Sequence, residues 1–328
     1  MGRFTKPVTV ALKIAVAVGL LWVLVNTKLV DFSILATLKD HPVIVVMVMI
    51  SVLLSYVSGA YRWLIFLKTQ GFTLSFWQVF HANILGAFSS IFLPGGSSGE
   101  GIRILLAMKL AHKDRARAVL TVFGDRLMAL FTLSVWACFA ALSGWDHMTG
   151  SLRPIAYGMA IAPLCFLAGA LVLVELGRRY RVDADGVQPA GRMMKLLASV
   201  TDFLAIVRSK PGSVALAFVI SMLSTGFVLA AFLLVSQIYT FPYLGLMDYL
   251  RAAPIAMLVN SVPLSPGGLG VGEAAFGRIC NLMAGNTDPV PYGTIYLTYR
   301  LLAIPVAAYG IVPLLNFRSL LAEPQASV

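Results

Sequence analysis

Apolar residues in this chain gather in blocks longer than the core of a soluble domain uses. Six run without a break: Val8 to Asn26, Pro42 to Leu67, Val119 to Ser143, Pro154 to Leu176, Ser213 to Ile238 and Tyr292 to Phe317. A bilayer core about 30 Å thick is crossed by about 20 apolar residues in helical form, so each block is long enough for one span. The first could pass for a signal peptide. It is longer than a usual signal core, however, and no small-residue cleavage site leads into a polar mature domain, so it reads as a span. Composition points the same way, with 59% hydrophobic and 12% charged residues against about 45–50% and about 25% in soluble domains. A water-soluble globule is excluded. No polar stretch reaches the roughly 50 residues a separate soluble domain needs. The expected fold is an all-α, polytopic integral membrane bundle forming a single domain over residues 1–328.

Two further apolar regions are broken in the middle. One runs from Gln78 to Leu93, meets Pro94-Gly95-Gly96-Ser97-Ser98-Gly99-Glu100-Gly101, and resumes to Ala111. The other runs from Asp248 to Val262, meets Pro263-Leu264-Ser265-Pro266-Gly267-Gly268-Leu269-Gly270-Val271-Gly272, and resumes from Glu273 to Ala284. Proline removes a backbone donor and glycine weakens a helix, so neither region can be one regular helix. The second pieces, at about 1.5 Å per residue, fall short of a full crossing. Re-entrant hairpins of half-helices fit these lengths.

Charge sets the expected orientation. The formal net charge is +11, a surplus that in a soluble chain would suggest nucleic acid. Here it follows the rule that Lys and Arg gather in cytoplasmic loops, and no nucleic-acid partner is expected. Arg3, Lys6 and Lys13 place the N-terminus inside, as do Arg62 with Lys68, the Lys113 to Arg117 cluster, the basic loop 177–212, and Arg318 at the other end. The expected location is the cell inner membrane with both termini cytoplasmic. These assignments produce two inverted repeats, residues 42–143 with broken segment 78–111, and residues 213–317 with broken segment 248–284. Paired Gly/Pro-interrupted segments in two halves point to a transporter's binding site.

The candidate chemistry follows from those breaks. Irregular backbone at membrane depth is tolerated only where protein buries it or water reaches it, which implies a cavity. Half-helices starting near Gly101 and Gly272 would direct amides and positive dipole ends into that cavity, suited to phosphate or carboxylate. Six charges stand within apolar surroundings: Glu100, Arg103, Asp125, Arg126, Glu273 and Arg300. Intramembrane charges are costly and read as functional, while long side chains near a span's end can snorkel. Two readings stay open. In one, the charges neutralise each other, Glu100 with Arg103 and Glu273 with Arg300 or Arg278, with Asp125 and Arg126 locally paired near the inner surface. In the other, Arg103, Arg126 and Arg300 hold an anionic headgroup, and the glutamates carry protons or position arginines. The candidate substrate-binding residues are Gly95, Gly96, Glu100, Arg103, Asp125, Arg126, Gly267, Gly268, Gly270, Glu273 and Arg300.

Other features carry less. Cys138, Cys165 and Cys280 read as small packing residues, the four histidines form no metal-binding pattern, and no metal or cofactor is expected. Gly95 to Gly99 matches G-x-S-x-G without a strand or a histidine base, and Gly270 to Ala275 matches a dinucleotide fingerprint without a βαβ unit. Residues 188–208 suit an amphipathic helix on the inner leaflet or a plain linker helix.

The residues around the two breaks resemble the transmembrane region of lysylphosphatidylglycerol synthases, a family that includes flippase-like proteins. The resemblance spans most of the chain and rests on Pro94-Gly95-Gly96 with Glu100 and Arg103, on Asp125-Arg126, on Pro263 to Gly270 with Glu273, and on Tyr299-Arg300. It implies lipid translocation. The soluble domain that transfers amino acids in bifunctional members has no counterpart in these residues, so aminoacyl transfer is not implied. The expected function is a lipid transporter for an anionic lipid or lipid-linked precursor, partnered by membrane lipids. The alternatives are a membrane-embedded lipid-modifying transferase and a non-catalytic subunit attached to a lipid-synthesis enzyme.

Overall fold

Proline opens two of the longest helices, at the first helical position, where its missing N–H costs nothing. These are α1 (Pro42–Thr69) and α6 (Pro211–Ser236). The computed structural model describes residues 26, 33–92, 98–110, 115–144, 150–183, 200, 203–262, 265, 268–285 and 288–315. The other elements, in order, are α2 (Phe76–Phe92), α3 (Ser98–Leu110), α4 (Arg115–Ser143), α5 (Arg153–Asp183), α7 (Leu246–Asn260), α8 (Val271–Ala284), α9 (Gly293–Ala308) and the short α10 (Ile311–Leu315). Among the described residues there is no strand. The fold is an all-α polytopic membrane bundle.

Five helical stretches are long and apolar enough to cross a membrane among the described residues: Pro42–Thr69, Arg115–Ser143, Arg153–Val172, Pro211–Ser236 and Gly293–Pro313. They coincide with five of the six expected spans; the sixth, Val8 to Asn26, lies outside the described residues. Two boundaries differ. The helix expected to end at Leu176 continues to Asp183, so Arg178, Arg179 and Arg181 extend that helix rather than belonging to a loop. The last expected span is interrupted at Tyr309 and Gly310. A side chain on Gly310 would press on Phe88 and on the Ile84 carbonyl, so the interruption lets the chain end lie close against α2.

Both broken regions are pairs of short helices, α2 with α3 and α7 with α8. At 13 to 17 residues each, they extend about 20–25 Å, less than the bilayer core. Local chemistry starts them. Ser75 and Gln78 exchange backbone bonds ahead of α2, Gln78 Oε1 accepting from Ser75 N at 2.9 Å and Ser75 Oγ from Gln78 N at 3.3 Å, a reciprocal cap. Asp248 accepts from Gly245 N at 3.0 Å and Glu273 from Gly270 N at 2.9 Å, so each short helix of the second half begins on an acidic residue. On each side of α5 the order is thus a membrane-crossing helix, two short helices and a second crossing stretch, which in the second case is α9 continued into α10.

Packing follows the small residues, as expected where lipid tails are as apolar as leucine and close approach supplies the attraction. α1 lies along α6, with Ser224 Oγ donating to the Ser55 carbonyl at 3.1 Å and Ala60, Ala217 and Ser221 fully buried. Gly99 of α3 presses on the Gly86 backbone of α2, so a side chain there would collide with main chain. One core centres on Phe232, Phe276, Tyr292 and Tyr296. A smaller one joins α1 to α4 through Trp63, Leu67, Leu85, Leu106 and Val122. Residues 203–209 are helical, and Phe203, Leu204 and Val207 pack on Ile65, Phe66 and Ala217.

Candidate functional site

Ionised groups inside such a bundle persist only when paired and hydrogen-bonded. Among the described residues, the buried charges fall into two clusters. The first is built on α1, α3 and α4. Asp125 is fully buried, and both its oxygens accept from arginines, Oδ1 from Arg62 Nε and Oδ2 from Arg103 Nη2, each at 2.7 Å. Arg62 extends to Ser221 of α6 at 2.8 Å, and Ser221 meets Thr132 at 2.7 Å. The Arg103 guanidinium lies over Trp63, 4.4 Å from the ring centre. The Trp63 indole N–H donates to Thr121 at 3.1 Å.

Arg126 points elsewhere. It pairs with Glu100 at 2.8 Å, and these side chains are 44% and 42% exposed, against 1% for Asp125. Arg126 of this pair lines a polar cavity of about 210 Å³ that Arg62 and Arg103 also reach, with Ser55, Tyr56, Asn83, Ser90 and Ser224 supplying neutral polar groups. Gly59, Gly86 and Gly99 line the same space. Among the described residues of this cluster, three guanidiniums face two carboxylates, leaving one positive charge in surplus. Arg103 is 4% exposed, yet among the described residues its Nε has no hydrogen-bond acceptor. A buried guanidinium N–H left unmatched costs about 1–3 kcal/mol or more.

The second cluster lies at the start of α8. Glu273, fully buried, caps Gly270 with Oε2, and its Oε1 lies 3.3 Å from Arg300 Nε without hydrogen-bond geometry. Arg300 donates to Asn260 Oδ1 at 3.2 Å and sits 5.4 Å from the centre of the Tyr296 ring; its Nη1 has no acceptor. Backbone freedom is required here. Gly268 (φ +71°) abuts the Asn260 side chain, and Gly270 adopts φ +83°, a region that side-chain-bearing residues rarely enter. Gly272 packs against the Tyr296 ring with no room for a methyl group.

One expected pairing is corrected by this geometry, Glu100 joining Arg126 rather than Arg103, and of the two partners expected for Glu273 the structure shows Arg300. Asp125 and Arg126, expected to pair locally, each reach other helices, Asp125 to Arg103 and Arg62 and Arg126 to Glu100. Arg62, expected at an inner loop, is buried inside α1. Cys165, expected to pack, is exposed, whereas Cys280 is buried and Cys138 partly so. Of the candidate residues, Arg103, Asp125, Arg126 and Glu100 come together, and so do Gly268, Gly270, Glu273 and Arg300. The polar cavity is lined by members of the first set and by none of the second. Gly95, Gly96 and Gly267 lie outside the described residues. A larger groove of about 930 Å³, lined mainly by apolar residues such as Met128, Phe131, Leu171, Leu204, Val207 and Phe218, holds none of the candidate residues.

Among the described residues, no three histidine, cysteine or acidic side chains gather as a metal site would require. No curated protein gives a match to the chain. The family described as the lysylphosphatidylglycerol synthase TM region matches residues 10–310. With a multi-pass helical bundle and paired charges at both chain breaks, the protein belongs to the lysylphosphatidylglycerol synthase transmembrane-region family.

Proposed function

We propose that this protein moves an anionic, phosphate-bearing lipid between leaflets of the inner membrane, taking the headgroup into the polar cavity while the tails stay in the bilayer. The observation that carries the reading is the polar cavity itself, lined by the three arginines Arg62, Arg103 and Arg126 with neutral polar side chains between them. Arginine forks suit phosphate because two parallel N–H groups match two oxygens. Arg62 and Asp125 would hold Arg103 in place, and Arg126 would meet the phosphate at the cavity mouth. Ser55, Asn83, Ser90 and Ser224 offer hydrogen bonds to a hydroxylated headgroup. In this reading both termini are cytoplasmic, since the basic loops then lie inside, and the short helix pairs fold back within the membrane.

The test is reconstitution in phosphatidylcholine vesicles carrying a trace of phosphatidylglycerol with a dithionite-quenchable fluorophore on one acyl chain. The wild-type chain is expected to accelerate quenching of inner-leaflet lipid. Arg103→Gln, which removes one charge-assisted contact worth about 1.5–3 kcal/mol, should slow it by about tenfold to hundredfold. Wild-type vesicles no faster than protein-free ones would refute the function. An unimpaired Arg103→Gln would remove that residue from it.

A further inference from the structure

The two exposed-versus-buried glutamate–arginine pairs occupy corresponding places in the two halves. Glu100 stands in the first turn of α3 and Glu273 in the first turn of α8, each the second short helix of its half. Each pairs with an arginine on the long helix that follows, Arg126 on α4 and Arg300 on α9. Each is preceded by a glycine pressed on a neighbouring helix, Gly99 on Gly86 of α2 and Gly272 on Tyr296 of α9. The environments are opposite. Glu100 and Arg126 are 42% and 44% exposed and Arg126 lines the cavity, whereas Glu273 and Arg300 are 0% and 15% exposed, with Glu273 locked to the Gly270 amide.

We infer that the two pairs are the corresponding gates of an alternating-access cycle, the Glu100–Arg126 gate open and the Glu273–Arg300 gate sealed in this structure. The inference rests on the proposed transport reading, and it adds where each half opens and closes. Two like-built halves around a shared path can exchange roles, so that the sealed half opens as the open half seals. In the exchanged state Glu100 and Arg126 become buried and Glu273 with Arg300 become wet. Breaking a pair costs most in the state where it is dry, because there the charge left behind has no water to turn to. Breaking one pair therefore removes support from one state alone, and the population moves to the other.

Accessibility of one cysteine on each side reads that balance. In the full chain with Cys138, Cys165 and Cys280 replaced, Ser90→Cys reports the open cavity and Ser265→Cys, whose serine is 1% exposed, reports the sealed side. A small water-soluble methanethiosulfonate is applied to both faces of phosphatidylcholine vesicles. Ser90→Cys should react at least tenfold faster than Ser265→Cys. Adding Glu273→Gln, which keeps an acceptor for the Gly270 amide, should slow the first and speed the second several-fold. Adding Glu100→Gln instead should leave the first fast and the second slow, and the double variant should fall between. Changes in the same direction at both sites, or no change with Glu273→Gln, overturn the inference. Should Glu273→Gln fail to give monodisperse protein, Arg300→Lys is read by the same criteria. Opposed labelling without phosphatidylglycerol movement would retire the proposed cargo and keep the gates; lipid movement without opposed labelling would do the reverse.

Discussion

Replacing Asp125 by asparagine removes the one carboxylate that holds two buried arginines. Both bonds are 2.7 Å long, and the three side chains are 1%, 9% and 5% exposed for Asp125, Arg62 and Arg103. Removing one member of a buried ion pair costs about 3–5 kcal/mol, because the remaining charge is stranded. Here two cations are stranded. Some of that loss is offset, since Arg62 keeps Ser221 and Arg103 keeps the face of Trp63, so about 3–5 kcal/mol is expected for the whole group. Glu100→Gln breaks a pair that is nearly half exposed and should cost about 0–1 kcal/mol. In a thermal ramp in mild detergent, Asp125→Asn should melt on the order of 10 °C lower, while Glu100→Gln should melt close to wild type. The readout is a thiol-reactive fluorophore reporting on Cys280, which is fully buried, in a background with the more accessible Cys138 and Cys165 changed to serine. Adding Arg103→Gln to Asp125→Asn removes one stranded cation and should recover about 1 kcal/mol or more. Equal melting of Asp125→Asn and Glu100→Gln would refute the argument that burial, rather than mere pairing, sets the weight of these charges.

Two packing sites give further tests. Gly272→Ala places a methyl group against the Tyr296 ring and should destabilise the protein by about 1–3 kcal/mol; Tyr296→Leu in the same chain should relieve most of that, and a thermal ramp of the single and double variants decides it. Tyr239 and Thr298 share a buried hydrogen bond at 2.6 Å. Tyr239→Phe should cost about 1 kcal/mol, and combining it with Thr298→Val should add little, whereas full additivity in the ramp would show that the two hydroxyls do not act as a pair.

The architecture was largely legible because hydropathy and chain breakers act locally. Block lengths in the sequence anticipated the five described spans, and Pro/Gly clusters anticipated where α2 gives way to α3 and α7 to α8. The Glu273–Arg300 pair was also within reach, since few other charges lie in that half. Arg62 was not. It stands near the end of an apolar block, where a long basic side chain ordinarily turns toward the headgroups, and its partners are 63 and 159 positions away. The misreading of Asp125 and Arg126 had a local cure. Successive residues on a helix point about 100° apart and do not face each other, so two adjacent opposite charges seek different partners. Asp125 turns inward to two arginines and Arg126 outward to Glu100. Which partner each would find depended on how α1, α3 and α4 meet, and sequence spacing holds no trace of that.

The bond from Arg62 to Ser221 has a consequence for how the chain is made. A polypeptide emerging from the ribosome delivers α1 to the translocon well before α6 exists, so the guanidinium must wait in lipid or at its surface for its last acceptor. An N-terminal fragment ending before Pro211 carries that debt permanently. Nascent chains stalled there should therefore be poor at leaving the insertion machinery, and the two halves, however alike in plan, mature only as one.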